Sequence, residues 1–277
     1  MLISHECPIS LLKESKRFND YDYALVHLFE TEPDYYNYFV DSLEQGRKVI
    51  LDNSIFELGQ AFDSEKFLRY IKLLKPTEYI IPDALEDCLA TMDNALDWKE
   101  KYLWLIDENV SKSIGVVQGK SYEDLVNCYQ YLDEVINVDK IAFSFDYSYY
   151  LDICPHHNKW VGYTMGRVTT LSRMLEDGII NKNKPHHLLG CALPIEFMFY
   201  REGFEWLESL DTSNPIVHAI LNISYEYSGL VDKQSIKLVD LLHSKLNQSQ
   251  FDLVRLNTTL FKSFVKGSRP HALDSLF

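Results

Sequence analysis

Residues 113–145, SIGVVQGKSYEDLVNCYQYLDEVINVDKIAFSF, contain the repeating unit from which the fold is predicted. A short apolar stretch, Ser113–Gln118, is followed by a polar turn, an amphipathic segment over Tyr122–Ile136 and a second apolar stretch, Lys140–Phe145. Continuous apolar strands that alternate with helices are typical of a parallel sheet covered on both faces. The sequence therefore predicts an α/β protein built from strand–helix–strand units.

The same unit recurs along the chain. Further strand candidates are Tyr23–Phe29, Lys48–Asp52, Tyr79–Pro82, His186–Gly190 and Trp206–Asp211, and further helical patterns cover Ser64–Leu74 and Pro194–Arg201. Seven strands, with an eighth expected around Ile216–Ile223, fit a TIM-type (β/α)8 barrel better than a doubly wound sheet. No GxGxxG motif follows the first strand and no GxxxxGK[ST] motif occurs, which argues against a Rossmann or P-loop domain.

The net charge of the chain changes sign near residue 230. Residues 231–277 hold seven Lys/Arg and four Asp/Glu, a net charge of +3, whereas the whole chain carries −14 and residues 1–230 therefore carry −17. We expect a barrel over residues 1–230 and a C-terminal helical extension over 231–277, packed on the barrel. One or two longer helices are expected between Lys233 and Lys266.

Composition excludes several classes of protein. With 46% hydrophobic and 25% charged residues, the 277-residue chain is neither disordered nor of low complexity. The net charge argues against binding of nucleic acid by bulk charge, although a local basic patch is compatible with it. The five cysteines form no CxC or CxxC pair, the first residues, MLISHECPISLLKESKRF, are too polar for a signal peptide, and no apolar run is long enough for a membrane span. We expect a protein of the reducing cytoplasm with no membrane partner.

Polar side chains follow four predicted strands at their carboxyl ends, where a barrel carries its catalytic groups. They are Asp52, with Phe56 and Glu57 close behind it, Asp83, the pair Gln118-Gly119, and Asp211. A lone Asp after a strand more often caps the next helix, and Gln118-Gly119 alone also fits a turn. Four such positions at one end of the barrel favour a catalytic or binding site over separate helix caps and turns. Two carboxyl groups suit glycosidic-bond chemistry, while Asp, Gln and an aromatic ring suit recognition of a purine.

Five stretches carry a family resemblance. LDNSIFELG (51–59), IIPDALEDC (80–88), GVVQGKSYED (115–124), HHLLGCALPIEF (186–197) and SLDTSNP (209–215) resemble, in order and in position at strand ends, the tRNA-guanine (queuine) transglycosylases. The similarity is closer to the relatives that insert 7-deazaguanines into DNA, which occur in phages and DNA-modification gene clusters. It covers about residues 20–220. It implies a pentosyltransferase that replaces guanine in DNA with a base such as 7-cyano-7-deazaguanine through a covalent Asp–deoxyribosyl intermediate.

The resemblance also implies roles for individual residues. Asp211 would be the nucleophile on C1′ and Asp52 the general acid/base. The base would be held at its edge by Asp83, Gln118 and Gly119, and on its two faces by Phe56 and Leu189, with main-chain groups near Ala142–Ser144 completing the pocket. The tRNA enzymes carry a CxCxxC…H zinc site after the nucleophile, but no cysteine follows Cys191 here. We therefore expect no zinc and no other cofactor, and DNA rather than tRNA as the substrate.

Basic residues are the candidates for contacts with phosphate groups. We predict such contacts for Arg167, Arg173, Lys262, Lys266 and Arg269. The two arginines fit the solvent-exposed face of a helix equally well, and the lysines of the tail fit a solvated flank. A tRNA-guanine transglycosylase, a nucleosidase or glycosidase acting on free nucleosides, and a non-catalytic binding subunit remain as alternative functions.

Two further clusters are given structural interpretations. The pairs His156-His157 and His186-His187 invite a metal site, but adjacent residues of a strand point to opposite faces, so one member of each pair is expected to face inward. Tyr147, Tyr149 and Tyr150 fit a core or a lid better than a surface for stacking bases.

Overall fold

Eight short parallel strands form the centre of the protein, which the computed structural model describes over residues 1–267. The strands are β1 (Leu2–Ser4), β2 (Asp22–Leu25), β3 (Val49–Asp52), β4 (Glu78–Ile80), β5 (Lys112–Val117), β6 (Lys140–Ser144), β7 (His186–Leu189) and β8 (Leu207–Asp211). They pair in the order β1-β8-β7-β6-β5-β4-β3-β2. At the remaining junction, the Asp20 N–H donates to the Ile3 carbonyl at 2.8 Å, so the barrel is nearly closed.

Helices alternate with the strands and cover the sheet. They are α1 (Leu12–Ser15), α2 (Pro33–Glu44), α3 (Ile55–Leu58), α4 (Ser64–Leu74), α5 (Cys88–Lys101), α6 (Tyr122–Gln130), α7 (Ser148–Ile153), α8 (Lys159–Glu176), α9 (Asn214–Ile220) and α10 (Gln248–Lys266). A π-helical turn, Tyr131–Ile136, continues α6. Side chains such as Asp87 and Ser121 accept hydrogen bonds from the first turns of α5 and α6, which fixes where these helices begin. The predicted (β/α)8 barrel is confirmed.

The eighth strand lies at the opposite end of the chain from its predicted position. Ile216–Ile223 is wrong as a strand, because α9 occupies Asn214–Ile220 with Pro215 at its start. The missing strand is β1, which pairs with β8 through Ile3 and Leu210. Every residue of α9 is buried, so its apolar run has no helical periodicity, and β1 has only three residues.

The tail follows the barrel as an irregular segment and one helix. The helix predicted from Lys233 begins only at Gln248, where Asn247 and Gln250 form a reciprocal capping box. α10 packs against α9 and the 3-10 turn Pro194–Met198. Before it, residues 233–238, here called the mouth segment, cross the carboxyl ends of the strands and line a cavity there.

The amino ends of the strands are filled by side chains. Lys140 is buried there, with its ammonium 2.6 Å from the Glu78 carboxylate and 2.5 Å from that of Glu208. Buried charges persist when they are paired in this way. The barrel is therefore open to ligands at its carboxyl end.

Candidate active site

A cavity of about 310 Å³ opens at the carboxyl ends of the strands. Six of the predicted site residues line it: Asp52, Phe56, Asp83, Gln118, Leu189 and Asp211. This is the end of a barrel at which catalytic groups gather, and the volume suits a small organic ligand. The structure thus brings together side chains that are up to 159 positions apart in the chain, counted from Asp52 to Asp211.

Asp211 ends β8 and is buried next to His187 of β7. Nε2 of His187 lies 2.9 Å from Oδ1 of Asp211, and Nδ1 lies 2.9 Å from the Ser209 hydroxyl. The alternation expected for the pair His186-His187 places His187 inward, while the ring of His186 packs edge-on against Trp206. From the sequence, this pair was considered as a metal site, and His187 was not identified as the partner of Asp211.

Asp52 ends β3 and is held from two directions. The Tyr23 hydroxyl donates to Oδ2 at 2.6 Å, and the Ser54 N–H donates to Oδ1. Ser54 has φ of 61°, a left-handed conformation that costs energy in a residue with a side chain and that occurs often at functional sites. Burial, together with the nearby Glu57 carboxylate, raises the pKa of Asp52 well above its usual value. Asp52 is therefore suited to carry a proton.

Asp83 lies across the barrel from Asp211 and belongs to a network of amides. Asn53 Nδ2 donates to its Oδ1 at 2.8 Å, and Gln118 Nε2 donates to its Oδ2 at 2.7 Å. Burial raises the pKa of Asp83 to about 6, whereas the hydrogen bonds from the side-chain amides of Asn53 and Gln118 act to lower it. The Gln118 carbonyl accepts from the Glu86 N–H at 2.8 Å, which fixes the orientation of the amide. Among residues 1–267, one N–H of Gln118 has no acceptor.

Among the described residues, three further carboxyl groups line the cavity: Glu6, Glu57 and Asp146. Glu6 follows β1, and its pKa is raised well above the usual value by burial and then by the charge of Asp211. Burial raises the pKa of Glu57 to about 6, against the attraction of Lys237. Glu57 was noticed in the sequence behind Phe56. Glu6 was missed because the three-residue strand before it carries no recognisable pattern.

Aromatic and apolar side chains form the remaining walls. Phe56 is 42% exposed, and its ring centre lies 6.4 Å from that of Phe145. Tyr163 packs edge-on against Phe145 at 6.3 Å. Gly190 has φ of 64°, and a Cβ there would overlap the Phe145 ring, so this position requires glycine. The cavity has flat apolar surfaces on which a ring can stack.

Two predicted contacts need correction. Gly119 does not line the cavity; it packs against the first turn of α6, where an added Cβ would overlap Asp124. Arg167 is fully buried, with its guanidinium 2.6 Å from the Glu196 carboxylate. It also donates to the carbonyls of Leu189 and Gly190, both at 3.0 Å. A phosphate cannot reach Arg167, which instead positions the loop after β7.

Of the other predicted phosphate contacts, the three within residues 1–267 do not line the cavity. Arg173 lies over the Tyr122 ring at 3.7 Å, and Lys262 lies 3.6 Å from Asp20. Lys266 is the exposed last residue of α10, and Arg269 lies outside the described residues. The lysines that do line the cavity are Lys159, Lys233 and Lys237.

Over residues 1–267, no group of three or more His, Cys, Asp or Glu side chains is arranged to hold a metal ion. In the same range, no helix combines the length and apolar character needed to cross a membrane. Tyr147 and Tyr150 are buried in the core, as one of the two interpretations of the tyrosine cluster expects.

No protein-family model and no curated protein matches the chain. The function of the site is therefore inferred from its own residues.

Proposed function

We propose that the protein is a pentosyltransferase that exchanges guanine in DNA for a 7-deazaguanine. One observation carries this proposal: Asp211, with one carboxylate oxygen held by His187, and Asp52, a carboxyl group whose pKa is raised by burial, line the same cavity. A nucleophilic carboxylate and a proton-carrying carboxyl group are the two functions that cleavage of a glycosidic bond with a covalent intermediate requires.

The first half of the reaction transfers the sugar to the protein. Oδ2 of Asp211 attacks C1′ and the bond between C1′ and guanine breaks, with the electron pair of that bond leaving on the base. Asp52 gives its proton to a ring nitrogen of the leaving guanine. The products are free guanine and a deoxyribosyl ester of Asp211.

The second half reverses these steps with another base. A 7-deazaguanine gives the proton on N9 to the Asp52 carboxylate, and N9 attacks C1′ and displaces Asp211. Two displacements restore the original configuration at C1′. Asp52 ends the cycle protonated and Asp211 ends it ionised, so both groups are ready for the next turnover.

Recognition of both bases follows from the network around Asp83. An ionised Asp83 accepts from the N1–H and the 2-amino group of guanine, and the remaining N–H of Gln118 donates to the O6 oxygen. These groups are the same in guanine and in 7-deazaguanine, so one cavity serves the leaving and the entering base. Phe56 and Leu189 offer apolar surfaces for the two faces of the ring.

The guanosine must leave the base stack to enter a cavity of this size, as in other enzymes that act on bases. DNA is proposed over tRNA because the cysteines of the zinc site of the tRNA enzymes are missing from the sequence.

Exchange of labelled guanine tests the proposal. Purified protein is incubated with labelled guanine and, in parallel, with DNA, tRNA and free deoxyguanosine, with Asp211→Asn as the control. Label in DNA with the wild type alone supports the proposal. Label in tRNA only would move the substrate to tRNA, guanine released from nucleoside without incorporation would indicate a nucleosidase, and no reaction would indicate a binding protein. Mass spectrometry of nucleosides from expressing cells identifies the inserted base.

A further inference from the structure

Lys233 belongs to the mouth segment and lines the cavity. It is half-buried, and its ammonium lies 4.9 Å from the centre of the Phe145 ring. Within residues 1–267 it donates no hydrogen bond, and no carboxylate lies within 4.0 Å of it. Burial lowers its pKa, against the attraction of Glu6, Asp146 and Asp211. A partly dehydrated cation is costly unless something pairs with it.

The other cavity lysine outside the mouth segment, Lys159, lies over the Trp160 ring at 4.4 Å and has no hydrogen bond or ion pair within residues 1–267. The remaining cations near the cavity or buried in the barrel are paired. Lys237, in the same mouth segment, donates to the Phe56 carbonyl at 2.8 Å. Arg167 is bound to Glu196, and Lys140 to two carboxylates. Lys233 is therefore the lysine of the mouth segment whose ammonium is available to a ligand.

The main chain next to Lys233 is fixed in place. The Asp232 carbonyl accepts from Nε2 of His218 at 3.0 Å, and the Asp232 carboxylate accepts from the Asn158 amide at 2.6 Å. These bonds tie the residue before Lys233 to α9 and to the start of α8. Binding of a ligand by Lys233 therefore requires little ordering of the main chain.

The position of Lys233 indicates which part of a ligand it reaches. β8 lies four strands away from β4 in the eight-stranded barrel, so Asp211 and Asp83 face each other across the cavity. A nucleotide with its base edge at Asp83 and its C1′ at Asp211 has its sugar and phosphate on the β8 side. Lys233 lies on that side, because the Asp232 carbonyl next to it is bound to His218 of α9, the helix that follows β8.

We propose that Lys233 binds the phosphate group on the sugar whose C1′ faces Asp211, so that the site takes a nucleotide rather than a free nucleoside. The inference rests on the proposed function for the pose of the nucleotide. Among the described residues, six carboxyl groups and three lysines line the cavity, so a phosphate entering it is repelled unless a cation meets it directly. A lysine ammonium is a common partner of phosphate in proteins.

Binding measurements with Lys233→Met, a neutral side chain of similar length, test this inference. The probes are guanine, deoxyguanosine, deoxyguanosine 5′-monophosphate and a single-stranded oligodeoxynucleotide containing one guanine. Lys233→Arg keeps the charge, and Lys72→Met removes an exposed lysine of α4 away from the cavity. Thermal unfolding of each variant establishes that it is folded.

We expect Lys233→Met to bind the two phosphate-bearing probes at least 10-fold more weakly and to bind guanine and deoxyguanosine as the wild type does. The salt dependence of oligonucleotide binding should become shallower by about 0.7 in log–log slope, the value of one contact on a single strand. Lys233→Arg and Lys72→Met should behave as the wild type. A loss confined to the oligonucleotide identifies a phosphate of the DNA chain, and a loss for both probes identifies the 5′-phosphate of the nucleotide itself.

Unchanged affinity of Lys233→Met for both phosphate-bearing probes would overturn the inference. An equal loss for all four probes would also overturn it, and would make Lys233 a counter-ion for the carboxyl groups of the cavity. Base exchange is measured separately on the same preparations. If the wild type binds nucleotides through Lys233 but exchanges no base, the proposed function fails and the phosphate site stands. If the wild type exchanges the base and Lys233→Met binds both phosphate-bearing probes as the wild type does, the proposed function stands and the phosphate site fails.

Discussion

Nε2 of His187 lies 2.9 Å from Oδ1 of Asp211, so the imidazole and the carboxyl group share a hydrogen bond. With Asp211 ionised, as the proposed nucleophilic role requires, the carboxylate accepts from the Nε2–H of His187, and Nδ1 of a neutral imidazole accepts from the Ser209 hydroxyl. The Tyr23 ring stacks on the imidazole at 6.1 Å with an angle of 10° between the planes. In the described part of the chain, Oδ2 of Asp211 has no hydrogen-bond donor. One oxygen of Asp211 is anchored and the other is available for attack.

Replacing His187 should therefore impair the chemical step. We expect His187→Ala to lower the single-turnover rate of base exchange about 10- to 100-fold, because a hydrogen bond to a charged group contributes about 1.5–3 kcal/mol. His187→Gln, which keeps a donor, should recover part of the rate. Guanine affinity should not change in either variant. Wild-type rates in His187→Ala would show that Asp211 needs no anchoring.

Replacing Asp52 should slow the reaction without preventing base binding. Asp52→Asn removes the proton that the leaving base receives, so exchange should fall by a factor of about 10²–10⁴. Guanine affinity, measured by calorimetry, should survive because Asp83 and Gln118 hold the base edge. Loss of binding with an intact chemical step would mean that Asp52 serves in recognition.

Guanine binding should depend on pH through Asp83. The ionised form accepts from the base, and burial raises the pKa of this carboxyl group to about 6 in the free protein. Affinity should therefore be full above about pH 7 and fall towards tenfold per pH unit below 6. Glu57→Gln, which removes a second group with a pKa of about 6, should keep this dependence, whereas Asp83→Asn should bind weakly at every pH. A pH-independent affinity in the wild type would exclude Asp83 as the acceptor.

Arg167 should matter for stability. Arg167→Met leaves the Glu196 carboxylate buried without its partner, and breaking one side of such a pair costs about 3–5 kcal/mol. Urea unfolding should show this loss, while Arg173→Met, at an exposed position, should change the free energy of unfolding by no more than about 0.5 kcal/mol. Replacing both Arg167 and Glu196 with Met should recover part of the loss. Wild-type stability together with weakened DNA binding in Arg167→Met would restore a phosphate role.

The sequence predicted the barrel because seven strands are apolar runs bounded by polar turns. It predicted the position of Asp52, Asp83 and Asp211 because parallel strands end at the same face, so position in a strand is enough to place a side chain. β1 and α9 were misassigned because three residues carry too little pattern, and because complete burial removes the periodicity that separates a helix from a strand.

The sequence does not predict which charged side chains pair with each other in the fold. Whether Arg167 faces solvent or Glu196 depends on the packing of α8 against the turn at Pro194–Met198, which no local pattern records. The course of the tail over the barrel mouth is likewise a tertiary feature. It brings Lys233 into the cavity and leaves Lys262 beside Asp20.

Mass spectrometry of the intact protein detects the proposed covalent intermediate on Asp211. Wild type and Asp211→Asn are mixed with a guanine-containing oligodeoxynucleotide, without any entering base, and quenched in acid. The wild type should gain the mass of the oligonucleotide minus one guanine, and peptide mapping should locate the adduct at Asp211; Asp211→Asn should gain nothing. Base exchange by the wild type without an adduct, an adduct on another residue, or full exchange by Asp211→Asn would contradict the account.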